Sequence, residues 1–175
     1  MLIISATNRP GSNTYFLAKL YQEWLQVRGE QPELIDLCNL PEKFVFNALY
    51  EKVGTDPDFN SFQKKIDNHQ QLLFIVPEYN GSFPGILKCF LDGLRYPGTL
   101  EGKKIAFTGL SSGPLGGAVA ISHLTDIMHY YNSVVLPVFP RLAFVDSELD
   151  RDKKEIHNPV FLKLAKQQLD QLIGE

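Results

Sequence analysis

The segment SATNRPGSNT, Ser5 to Thr14, sets hydroxyl, amide and guanidinium groups side by side just ahead of an amphipathic run. Such a set suits an anion at a helix amino terminus, where free N–H groups and the macrodipole favour negative charge. Ser5, Ser12, Asn13 and Thr14 add donors, and Arg9 offers the planar fork that a phosphate accepts. The same residues also spell a plain turn, because Pro10-Gly11 followed by serine is common punctuation and Ser12 serves equally as a helix cap. No Lys-Ser or Lys-Thr pair is present, which excludes a triphosphate loop. G-x-G-x-x-G is missing too, leaving Asp36 as weak support for a dinucleotide ribose. A monophosphate fits better.

Two further loops carry groups of the same kind. In PEYNGSFPG, Pro77 to Gly85, Tyr79 offers a flat face and the Asn80-Gly81 pair can turn main-chain N–H groups toward a ligand. The plainer reading is a strand-to-helix connection capped by Ser82, with Glu78 structural or solvent-facing. In SSGPLGG, Ser111 to Gly117, the glycines allow close helix–strand packing or close approach of a ligand, and the following helix end supplies positive potential. Together the three loops describe a site for a flat, polar, monophosphorylated group.

The chemistry needs a frame, and the periodicity provides one. Leu2–Ser5, Glu33–Leu37, Leu72–Pro77, Lys103–Leu110 and Ser133–Phe139 read as strands, several of them apolar enough to be covered on both faces. Between them lie helical stripes: Leu17 to Leu25 ending at Gly29, Pro57 to Ile66, Pro84 to Leu94, Ala118 to Tyr130 and Phe161 to Ile173. Strand–helix alternation of this kind builds an α/β parallel sheet with helices on both faces. Ligands then sit beyond the carboxyl ends of the strands, so the loops after strands one, three and four should hold the site.

Composition narrows the function classes. The 175 residues carry a net charge of −3, which gives no general attraction to nucleic acid or anionic membranes. No apolar run approaches a membrane span. Cys38 and Cys89 fit neither a zinc spacing nor a disulfide framework, and a cytoplasmic setting is the expectation. His69, His123, His129 and His157 show no ligand spacing, so no metal is expected. No G-x-S-x-G elbow supports a serine hydrolase. Lys88 and Asp92 read as a helix-surface pair, Tyr130-Tyr131, Phe44 and Phe46 as core or subunit contact, and DRDKKE, Asp150 to Glu155, as a solvated loop.

SATNRPGS, VPEYNGSFPGILKCFLD and SSGPLGG resemble the three binding loops of the NAD(P)H-dependent FMN reductase family, which includes quinone, azo-dye and chromate reductases. The middle motif is the specific one. The resemblance implies a single flavodoxin-like domain over residues 1–175, a three-layer sandwich on a five-stranded parallel sheet of order 2-1-3-4-5. It implies FMN with its phosphate on Ser5, Arg9, Ser12, Asn13 and Thr14. Pro77, Glu78, Tyr79, Asn80 and Gly81 would line the isoalloxazine, with Ser111, Ser112 and Gly113 on its other edge. The implied activity is hydride transfer from NADPH or NADH through FMN to a small acceptor, a free flavin, quinone or similar, by a ping-pong route without a catalytic side chain. Family members are commonly homodimers or homotetramers. A non-catalytic FMN-binding electron carrier or redox-responsive module is the alternative, and an open nicotinamide space over the ring distinguishes the two. Relatives often place polar or basic residues where this chain has Pro114-Leu115.

Overall fold

A computed structural model describes residues 1–174. Strands β1 (Leu2–Ser5), β2 (Glu33–Asp36), β3 (Gln71–Pro77) and β4 (Lys104–Leu110) run parallel, and β5 (Val134–Val135) completes the order β2-β1-β3-β4-β5. This is the flavodoxin-like order. Among the described residues seven α-helices accompany it: α1 (Asn13–Val27), α2 (Phe44–Asn47), α3 (Pro57–Asp67), α4 (Gly85–Gly93), α5 (Ala118–Tyr130), α6 (Val145–Glu148) and α7 (Pro159–Ile173).

Side chains alternate across a strand, and here the alternation sorts them into two cores. Ile3, Leu73, Ile75 and Ala106 pack against Leu17, Tyr21 and Leu25 of α1 and Phe161 and Leu169 of α7. Leu2, Ile4, Phe74, Ile105 and Phe107 face the other way, onto Phe59 of α3, Leu87 and Phe90 of α4 and Leu124 of α5. Helices on both faces explain the continuous apolar strands.

The fifth strand departs from expectation. Instead of one run over 133–139, it is two short pieces, β5 and β6 (Arg141–Leu142), each parallel to β4. Val134 N and Leu136 N donate to Lys103 O and Ile105 O at 2.9 and 2.8 Å. The next donors in that series are Val138 and Pro140. Proline has no N–H, and the ladder breaks, as an edge strand tolerates. Gln168 of α7 fills the break: its Nε2 donates to Phe107 O at 2.8 Å and to Val138 O at 2.9 Å. The ladder then resumes as Gly109 N donates to Pro140 O at 2.9 Å.

Between α6 and α7 the chain forms a small antiparallel hairpin of β7 (Leu149–Asp150) and β8 (Glu155–Ile156). The residues expected as a plain solvated loop are therefore the turn of a structured element. At the sheet's carboxyl edge, Ser5 pairs with Asp36 and Ile75, and Pro77 with Leu110, so the loops after β1, β3 and β4 leave side by side.

Candidate functional site

Those loops enclose a cleft of about 340 Å³. Arg9, Ser12, Asn13 and Thr14 line one end, and Pro77, Glu78 and Tyr79 line another part together with Leu110, Ser111 and Ser112. The volume lies within the range of small-molecule sites, roughly 300–1,000 Å³.

At the first loop the two readings of Ser12 coexist. Its Oγ accepts from Tyr15 N at 3.1 Å, which caps α1, and its carbonyl accepts from Phe16 N. The remaining N–H groups of the first turn, those of Asn13 and Thr14, have no acceptor among the described residues. Arg9 is exposed and, among the described residues, forms no ion pair. A donor-rich pocket of this type fits a phosphate. Ser5 lies apart: it is fully buried, does not line the cleft, and its Oγ has no partner among the described residues.

In the second loop, Tyr79 and Ser82 form a two-residue hairpin closed by Tyr79 N to Ser82 O at 2.8 Å and Ser82 N to Tyr79 O at 3.1 Å. Asn80 and Gly81 occupy its tip at φ of 51° and 75°, the left-handed pair that an Asn-Gly sequence adopts at low cost. Both stand outside the cleft lining. Ser82 is not a helix cap. Pro84 precedes α4 without a side-chain cap, and Ser82 Oγ bonds His123 Nδ1 at 2.9 Å, tying the hairpin to α5. Glu78 is half-buried, and its Oε2 is buried without a partner among the described residues. A donor supplied by a ligand would satisfy it.

The third loop is braced from within. Ser111 Oγ donates to Gly113 O and accepts from Gly116 N, both at 2.9 Å. Gly116 and Gly117 serve packing: a Cβ on Gly117 would stand 3.0 Å from Gly109 Cα, and one on Gly116 3.0 Å from Ala143 N. The amino end of α5 consequently nests against β4. Ala118, the first residue of α5, lines a separate hollow with Ile121 and Arg141. Gly113, whose Cβ position is open, is also outside the lining.

Sequence reasoning missed several residues of the cleft wall and one, Thr7, that supports it from behind. Thr7 is fully buried, and its Oγ1 lies 2.8 Å from Tyr79 Oη while accepting from Arg9 N at 3.2 Å. Pro10, Gly11, Val145, Asp146 and Arg151 complete the wall. Asp146 Oδ1 accepts from Asn13 Nδ2 at 3.1 Å. Thr7 sat in plain view in the first motif, whereas Asp146 and Arg151 carry no local signal.

The sequence pattern of the NADPH-dependent FMN reductases matches residues 1–144. The chain belongs to that family. Curated relatives of this FMN reductase family chain include a 2-hydroxy-1,4-benzoquinone reductase of a Burkholderia species, 38% identical over 111 residues, 59% of this chain and 56% of the relative. The match thus spans a little over half the length of that relative. An NAD(P)H-dependent FMN reductase of Pseudomonas aeruginosa is 35% identical over 131 residues, 73% of this chain and 68% of its own. Among solved structures, the flavoenzyme NAD(P)H:(acceptor) oxidoreductase of Paracoccus denitrificans superimposes with a TM-score of 0.75 at 21% identity, over 99% of this chain and 93% of that one. At that identity the likeness concerns the fold, which is the one described above.

Proposed function

We propose that this chain is an FMN-dependent oxidoreductase that takes hydride from NADPH or NADH and passes it to a small acceptor in alternating half-reactions. One observation carries the reading: the three loops meet in a single cleft at the carboxyl edge of the sheet, where the first of them brings unspent donors. Its chemistry fits FMN. Arg9, Ser12 and the free N–H groups of Asn13 and Thr14 would hold the phosphate, with Ser5 beneath them. Pro77, Glu78, Tyr79, Ser111 and Ser112 would hold the ring, with Asn80, Gly81 and Gly113 at its borders. When bound, FMN supplies hydride acceptance and release.

The chain's own part is binding and orientation. Thr7 fixes Tyr79 across the cleft, and Ser111 keeps the third loop in one shape. Glu78 Oε2 has no partner among the described residues, which supports a role as a ligand contact rather than as one half of an acid–base pair. The acceptor class is a free flavin, quinone or similar flat molecule, supported by the names that the relatives carry. Tyr96 and Tyr130 favour a homodimer or homotetramer: they are 60% and 70% exposed, yet their rings stack at 6.0 Å and 10°. The free thiols Cys38 and Cys89 fit a reducing, cytoplasmic setting. No described helix is long and apolar enough to cross a membrane.

The test is a titration of the purified protein with FMN, followed by NADPH or NADH. Quenched flavin fluorescence and then bleaching of the ring absorbance are expected, with colour returning when a quinone is added. Flavin that binds but oxidises no nicotinamide would instead mark an electron carrier.

A further inference from the structure

We infer that Arg151, on the hairpin β7–β8, is a second phosphate ligand in the cleft that Arg9 lines. The inference rests on the FMN reading but concerns a residue outside the family pattern, which ends at residue 144.

Three cations occupy the hairpin turn. Lys153 Nζ stands 3.4 Å from Asp150 Oδ2, and Lys154 Nζ stands 2.7 Å from Glu23 Oε1. Arg151, among the described residues, has no carboxylate within ion-pairing distance. It points back over the first loop instead, where its Nη1 donates to Gly11 O at 3.1 Å and its guanidinium lies 5.3 Å from the centre of the Phe16 ring. The ring and the carbonyl fix the plane of the guanidinium before any ligand arrives, and it lines the same cleft as Arg9 and Ser12. Among the described residues, only one of its five N–H donors is used.

Charge makes the same point. Gly11 O, at the tip of the first loop, would repel an anion if left bare. Arg151 covers that carbonyl. Asp146 brings a further negative charge to the wall, and the uncharged Asn13 amide that donates to it does not cancel that charge. Arg9 alone balances Asp146. A second arginine is what makes this end of the cleft net positive, with α6 and the hairpin acting as a strap across it.

The experiment compares FMN with riboflavin, which lacks the phosphate, in wild type and in Arg151→Lys, Arg151→Gln and Arg151→Ala, by fluorescence titration at low and moderate salt. Loss of a charge-assisted contact predicts FMN binding weaker by roughly 10- to 100-fold in Arg151→Ala and Arg151→Gln, with riboflavin affinity unmoved and Arg151→Lys intermediate. The salt dependence of FMN binding should also be shallower without Arg151. Arg151→Gln equal to wild type would reduce Arg151 to a tether for Gly11 and overturn the inference, as would equal losses for FMN and riboflavin. Wild type that binds neither flavin would remove the FMN reading together with this one. Melting temperatures close to wild type are expected, because Arg151 is exposed.

Discussion

Thr7 Oγ1 lies 2.8 Å from Tyr79 Oη and joins the loop after β1 to the loop after β3. Thr7 is fully buried, so the bond is shielded from water and holds the two loops at a set spacing. Thr7→Val and Tyr79→Phe should each weaken FMN binding by roughly 2- to 10-fold, the worth of one neutral hydrogen bond. The double variant should be no worse than the poorer single one, because both remove the same bond. Additive losses in the FMN titrations would mean that the residues act separately.

Arg9→Ala should weaken FMN binding by about tenfold or more while leaving riboflavin binding and the melting temperature alone. The side chain is exposed and, among the described residues, unpaired, so the fold does not lean on it. An unchanged FMN dissociation constant would remove Arg9 from the phosphate site.

Asp146 opposes the same ligand. Asp146→Asn keeps an acceptor for Asn13 Nδ2 but removes a negative charge from the cleft wall. FMN should bind tighter by about threefold at low salt, an advantage that screening erodes. Riboflavin should not respond. Tightening of both flavins alike would point to loop rearrangement instead of charge.

Most of this architecture was legible because it follows from local patterns. The strands β1, β3 and β4 are continuous apolar runs, and α1, α4 and α7 show clear stripes, so order and layers follow from periodicity. The three motif loops were legible for the same reason: they occupy the carboxyl ends of those strands. What stayed hidden depends on distant partners. DRDKKE reads as solvated, and nothing within it says that Arg151 folds back onto Gly11, 140 positions earlier. Ser82 looks like a cap until His123 approaches from α5. Gln168 sits among surface-type residues in α7, and its burial answers the break in the ladder between β5 and β6.

Gln168 makes a stability prediction. It is fully buried, bonding Phe107 O and Val138 O through Nε2 and Thr108 Oγ1 through Oε1 at 2.8 Å. Thr108 Oγ1 is also 3.0 Å from Tyr21 Oη, and burial pushes the Tyr21 hydroxyl far above its ordinary pKa. The tyrosine therefore stays protonated and can donate to Thr108 while Thr108 donates to Gln168. Gln168→Ala leaves two carbonyls and a hydroxyl chain without a partner, and should lower unfolding free energy by about 2–4 kcal/mol. Urea denaturation measures this. A loss well under 1 kcal/mol (on the scale of a neutral surface change) would mean that water replaces the amide.

Asp36 gives the pH dependence. It ends β2 beside Ser5, its Oδ1 accepts from Cys38 N at 3.3 Å, and burial raises its pKa above the ordinary carboxylate value against smaller opposing hydrogen bonds. Because the folded state disfavours the charged form, Asp36 costs nothing while protonated in both states, and stability is lost as pH rises through the folded pKa. Asp36→Asn keeps the acceptor for Cys38 and cannot ionise. The variant should therefore match wild type near pH 3, pull ahead as the carboxylate ionises, and melt higher at pH 7. A melting temperature below wild type at pH 7, with the two equal in acid, would show that the ionised carboxylate is favoured in the fold and reverse the sign of the burial effect.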